Sequence, residues 1–152
     1  MALPNVFTKQ VSDQLISRIN KLTPSTPPQW GKMSVSQMLA HCSVSYEMAY
    51  EDKYKRPNAV VRFLLALLAK NAVVNETPYK HSERTAPQFL VANDKNFEAE
   101  KKRLIDYVTK TQQLGEAYFN NKESHSFGKL NTSEWNNMFY KHLNHHLEQF
   151  GV

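Results

Sequence analysis

Apolar residues recur along this chain at helical spacing, in blocks separated by proline, asparagine and charged runs. Val11, Leu15, Ile19 and Leu22 repeat every three or four positions, which predicts a first helix from about Val6 to Lys21. It ends in Thr23-Pro24-Ser25-Thr26-Pro27-Pro28, a proline-rich stretch that cannot continue a helix and reads as a stiff connector closed by Trp30 and Gly31. A second helix opens at Ser34-Val35-Ser36-Gln37, which has the form of a capping box. Val35, Met38, Leu39, Cys42, Tyr46 and Ala49 then trace one apolar face, and the charged run Glu51 to Arg56 followed by Pro57 ends it.

A third helix, about Asn58 to Asn75, is apolar nearly all round, so it is expected to be buried, either central or covered by a partner chain. Thr77 to Phe89 contains Pro78 and Pro87 and reads as a loop. A long fourth helix runs from about Asp94 to Phe119, with Phe97, Leu104, Tyr107, Val108 and Leu114 on one side and Glu98, Lys101 and Lys102 on the other. Asn120 to Leu130 reads as a second loop, and the last helix opens box-like at Asn131-Thr132-Ser133-Glu134 and reaches Phe150. Five helices with short connections, and no repeat or linker, predict one all-α domain over residues 1–152, arranged as a bundle.

Composition narrows the function classes. With one cysteine, Cys42, no internal disulfide can form, and a reducing cytoplasm is the expected compartment. The opening Met-Ala-Leu-Pro-Asn-Val-Phe lacks the basic and apolar regions of a secretory signal. The most apolar run, Phe63 to Ala69 between Arg62 and Lys70, is far short of the roughly 20 residues that span a bilayer, so no membrane role is expected. The net charge of +5 is spread thinly, without a dense patch interleaved with aromatics or a nucleic-acid motif, so no specific nucleic-acid partner is expected either.

The candidate chemistry lies in Tyr140-Lys141-His142-Leu143-Asn144-His145-His146-Leu147. On a helix His142 and His146 share one face, and that face coincides with the arc of Trp135, Met138, Phe139, Leu143 and Phe150. His145 falls at its margin. Two imidazoles on a core-facing stripe need partners, and at this spacing they can converge on one metal ion. His41, beside the Val35, Met38 and Cys42 face of the second helix, is the candidate third ligand. Helical histidine pairs also occur as hydrogen-bonded core residues, so the pattern alone leaves both readings open. Three imidazoles suit a first-row divalent metal with positions left for substrate; zinc, nickel, iron and manganese all accept such ligands.

The remaining candidates are weaker. Cys42 fits a small buried hydrophobe better than a nucleophile. His125 sits in a loop that could approach the site, Tyr46, Tyr50 and Tyr140 fit helix packing, and Glu47 is a candidate hydrogen-bond partner for a ligand histidine.

Trp30-Gly31-Lys32-Met33-Ser34-Val35-Ser36-Gln37-Met38-Leu39-Ala40-His41, then His125-Ser126-Phe127-Gly128-Lys129-Leu130, Glu134-Trp135 and His142 to Gln149 together resemble the DinB-like superfamily of bacterial metalloenzymes, which includes the YfiT-like proteins. The likeness spans the whole chain and is closest to a branch of short bacterial proteins of unknown function. It implies a four-helix bundle with an additional helix, and His41, His142 and His146 as ligands of a divalent metal, zinc or nickel before iron or manganese. From characterised relatives it implies transfer of a low-molecular-weight thiol, such as bacillithiol or mycothiol, to a small electrophile. The common tail His-His-Arg-Gly-Gln is here His145-His146-Leu147-Glu148-Gln149, so substrate contacts on that turn do not carry over. The alternative expectation is a metal-free binding or interaction protein on the same scaffold, homodimeric through the apolar third helix.

Overall fold

The computed structural model describes residues 2–81 and 86–152, so residues 82–85 of the expected Thr77 to Phe89 loop lie outside it. The described chain is mostly helical: α1 (Lys9–Lys21), α2 (Val35–Tyr50), α3 (Ala59–Leu68), α4 (Lys70–Val74), a 3-10 turn at Pro87–Phe89, α5 (Phe97–Phe119), the strands β1 (Lys122–Ser124) and β2 (Gly128–Leu130), and α6 (Thr132–Gln149). This bears out the all-α class and shifts several boundaries.

α1 begins three residues later than its apolar spacing suggests, because the Thr8 hydroxyl accepts the Val11 N–H and sets the cap there. Val6 and Phe7 are buried ahead of the cap, and the Val6 N–H is held by Asn136 Oδ1 at 2.8 Å. Both anticipated capping boxes form, Ser34 with Gln37 on α2 and Asn131 with Glu134 on α6. Between α5 and α6 the expected loop contains an antiparallel hairpin, pairing Lys122 with Leu130 and Ser124 with Gly128. Strands of three residues are too short to show alternation in sequence. Ser124 staples the turn, donating to the Gly128 carbonyl at 2.7 Å and accepting the Phe127 N–H at 3.0 Å.

α2 is the enclosed helix. It packs against α5, α6 and the 3-10 turn, while α5 also packs on α1 and α6. Ile19, Met38, Leu39, Cys42, Leu104, Trp135, Phe139 and Leu143 form the shared core with almost no exposure. The Tyr46 ring stacks between Tyr107 and Phe139, with centroids 5.6 and 4.8 Å away. Each large side chain buried this way contributes roughly 1.5–3 kcal/mol, and together they fix how α2 and α6 are rolled toward each other.

Of the two places expected for the third helix, central or covered by a partner chain, the central one is overturned. The helix breaks at Ala69 into α3 and the short α4, and no residue of α3 is buried. The middle of the molecule is taken by α2, and α3 lies outside it with Arg62 paired to Glu123. α5 is also interrupted: Gly115 takes φ 70° and ψ 176°, which kinks the helix one turn before its end. No helix among the described residues is long and apolar enough to cross a membrane.

Candidate metal centre

Phe139, Leu143 and Leu147 anchor α6 in the core, and that roll carries His142 and His146 to the α2 side. On α2, Met38, Leu39 and Cys42 do the same for His41. The three rings meet with centroids 4.5 to 5.0 Å apart. His41 and His146 are buried and His142 is half-buried, and one ring nitrogen from each falls within 4.8 Å of the others. Among the described residues this is the one His, Cys, Asp and Glu group with metal-holding geometry. His41 Nε2 and His142 Nε2 are 3.0 Å apart. A tetrahedral first shell with metal–nitrogen bonds of about 2.0–2.1 Å places its nitrogens about 3.3 Å from one another, so small ring rotations would seat an ion. The three residues fit a metal.

The outer nitrogens are all occupied by the protein. His41 Nδ1 is 2.8 Å from the Phe89 carbonyl oxygen, and because a carbonyl only accepts, Nδ1 is the protonated nitrogen. His146 Nδ1 is 2.7 Å from Gln149 Oε1, while Gln149 Nε2 donates to the Trp30 carbonyl at 2.7 Å. That second bond fixes the amide orientation, so Oε1 accepts and His146 Nδ1 is also a donor. His142 Nδ1 lies 2.8 Å from Ser45 Oγ, which can either donate or accept. Two lone pairs at Nε2 are therefore set by the surroundings, and the third is available by tautomer choice. Such outer partners orient ligand imidazoles and raise their basicity.

Gly31 makes the Gln149 arrangement fit. Its φ is +82°, and a Cβ there would sit 2.6 Å from Gln149 Nε2.

Burial disfavours charge on all three rings. His41 and His142 are held below the usual imidazole value by burial first, and His142 further by the neighbouring histidines. His146 is lowered to about 3 by burial, and His41 beside it pushes the same way. The cluster is neutral near pH 7, the form a metal ion requires.

Aromatic side chains wall the centre. The Phe89 ring lies 5.3 Å from His41 and 5.4 Å from His142. His145 turns away from the ligand set and packs its ring on His146, Trp30 and Tyr79. Trp30 in turn carries the His81 ring, stacked at 3.8 Å.

The other candidates are placed elsewhere. Cys42 is fully buried and burial pushes its thiol well above the ordinary value, so it is inert packing. His125 is buried at the hairpin turn, 3.0 Å from Ser126 Oγ, and does not join the cluster. Tyr46 and Tyr140 pack in or against the core, and the Tyr50 hydroxyl bonds Thr111 at 2.6 Å. Glu47 supports none of the three histidines: its carboxylate bonds Lys53 at 3.0 Å, Tyr54 at 2.7 Å and Arg103. The supporting roles fall to Ser45, Gln149 and the Phe89 carbonyl. The first two carry a sequence signal, since Ser45 follows His41 by four positions and Gln149 follows His146 by three, both on the ligand face. Nothing local marks Phe89.

No curated protein and no solved structure matches the chain. A family profile does match, over residues 6–151, which includes all three histidines and their supports. With nearly its whole length matched, this chain belongs to the family described as "Protein of unknown function (DUF1569)".

Proposed function

We propose that the protein is a metal-dependent enzyme of DinB-like type, a single bundle domain that binds one divalent ion, zinc or nickel, through His41, His142 and His146. The observation that carries this reading is the paired polarity of the rings: each Nδ1 has a protein partner, the Nε2 atoms of His41 and His142 meet at 3.0 Å, and one ring nitrogen of each of the three histidines falls within 4.8 Å of the others. A cluster kept only for packing has no need to aim three imidazoles at one point.

When bound, the ion supplies a Lewis acid that lowers the pKa of a thiol or of water. The chain's own contribution is electrostatic and steric. All three ligands are neutral, and their hydrogen-bond partners among the described residues, the Phe89 carbonyl, Ser45 and Gln149, are neutral too, so the first shell leaves the ion its full positive charge. With no carboxylate base among these contacts, a low-molecular-weight thiol suits the site better than water, because its lower pKa would let the ion alone favour the thiolate near pH 7, the proton passing to solvent. Phe89, Trp30, His81 and His145 offer flat surfaces for a small electrophile and keep bulk water from the rings.

The test is elemental analysis of untagged protein, wild type beside His41→Ala and His146→Ala. About one metal per wild-type chain, lost from both variants, supports the reading, and thiol transfer to an aryl halide is then assayed on the loaded protein. The 3.0 Å contact between His41 and His142 also suits a metal-free binding module in which the rings bond each other. Wild type that stays metal-free after incubation with zinc, nickel and manganese would favour that module and sink the enzyme.

A further inference from the structure

α3 turns its apolar side outward. At about 100° per residue, Val60, Val61, Phe63, Leu64, Leu67 and Leu68 share one arc, and every one of them is exposed, Phe63 by 67% and Leu68 by 80%. The opposite arc, Arg62, Leu65, Ala66 and Ala69, faces the molecule and is half-buried. A free surface helix places these two arcs the other way round. With fully exposed side chains of this size offering roughly 170 Å² each, the six present on the order of 600 Å² of uncharged apolar surface, at the upper limit for an ordinary monomer. Two such faces brought together bury about 1,200 Å², the size at which specific protein interfaces begin.

We propose that the occupant of this face is α3 of a second copy of the chain, packed antiparallel about a twofold axis at Leu64. A twofold interface must be complementary to itself. About Leu64 the stripe is: Val60 faces Leu68 and Val61 is set near Leu67, so at each end a small side chain meets a large one, the arrangement that lets helix ridges interdigitate. Antiparallel pairing also opposes the helix dipoles. An anionic lipid surface fits less well. Of the bases near α3, Lys53, Arg62 and Lys70 are paired with Glu47, Glu123 and Glu134, and Lys55 and Arg56 follow Glu51 and Asp52, so they do not form the unpaired basic cluster such a surface selects.

Sedimentation velocity over the micromolar range gives the first test. Wild type should run at about 35 kDa, twice the 17.6 kDa chain, and a Leu64→Glu, Leu68→Glu double variant at the monomer mass with an unchanged circular dichroism spectrum. Register is tested by Leu64→Cys, which should form a disulfide-linked dimer on mild oxidation, whereas Gln113→Cys on exposed α5 should not. Cys42 is fully buried and does not compete. A wild-type monomer at every concentration, or a double variant that remains dimeric, overturns the proposal. If that monomer floats with phosphatidylserine vesicles, the face belongs to a lipid surface instead. None of these readouts involves metal, so the outcome is independent of the centre's function.

Discussion

His41 and His142, separated by 101 positions in the chain, hold their Nε2 atoms 3.0 Å apart. The Phe89 carbonyl makes Nδ1 of His41 the donor, so its Nε2 presents a lone pair. His142 Nε2 must then either direct a proton at that lone pair or share a cation with it. Ser45 permits both, because its hydroxyl can donate to His142 Nδ1 in the first case and accept from it in the second. We expect nitrogen-15 spectra of metal-free protein to show His41 and His146 protonated at Nδ1 and His142 at Nε2, with His142 switching to Nδ1 on addition of zinc. A His142 already protonated at Nδ1 without metal would contradict this.

Gln149 joins His146 to the Trp30 carbonyl, and Gly31 leaves room for it. Gln149→Leu should weaken metal affinity by about 10–100-fold with little loss of secondary structure. Gly31→Ala should do the same and lower stability by roughly 1–3 kcal/mol, because it strains a left-handed backbone and presses on the amide. Competition with a chromophoric chelator, beside thermal melts, separates the two effects. Equal metal affinity in wild type and Gln149→Leu would remove Gln149 from the site.

Acidification should destabilise the metal-free protein. The folded state holds His146 neutral down to about pH 3, whereas the unfolded chain takes up that proton near 6.5. The contribution of neutral His146 is complete above pH 6.5 and is lost progressively as pH falls from there toward 3. The loss is about 1.4 kcal/mol per pH unit for a fully shifted histidine. Between pH 7.5 and 5.5 this group alone should lower Tm by roughly 3–6 °C. His41 and His142 are shifted in the same direction and steepen the slope. A flat melting profile over that range would mean the rings accept protons without unfolding.

Glu47 is almost wholly buried, and burial works against its charge. Hydrogen bonds from Tyr54 and Lys53 and the charge of Arg103 outweigh that and hold its carboxyl below the usual range. Its role is to tie the segment after α2 to α5. Glu47→Gln should therefore lower stability by about 1–3 kcal/mol and leave metal stoichiometry unchanged. Loss of metal in that variant would restore Glu47 to the centre.

The helices and the histidine faces were legible in sequence because both are local: caps, prolines and a spacing of three or four residues define them. Ser34 with Gln37 and Asn131 with Glu134 announce their helices without tertiary help. What escaped was set by competition between elements. α3 is more apolar than α2, yet α2 occupies the interior, because its polar residues find partners there, His41 at Phe89, Ser43 at the Leu39 carbonyl, Ser45 at His142 and Glu47 at Arg103. Hydrophobicity ranked the two helices wrongly since it counts each residue alone. Phe89 escaped for a related reason: it acts through its backbone, and any residue type supplies a carbonyl.

The kink at Gly115 has a consequence for evolution and engineering. A Cβ there would meet nothing within 4 Å, so the position is closed to other residues by its torsion angles alone. The hairpin and then α6 with two of the three histidines follow this kink in the chain, so its angles feed into their heading alongside the core contacts of Phe139, Leu143 and Leu147. Substitution should act at a distance, like a change of azimuth at a survey point, swinging His142 and His146 relative to His41 while leaving each helix intact. A substituted Gly115 therefore sets its backbone strain against the core contacts that hold α6, and metal affinity measured beside thermal stability tells which of the two yields first.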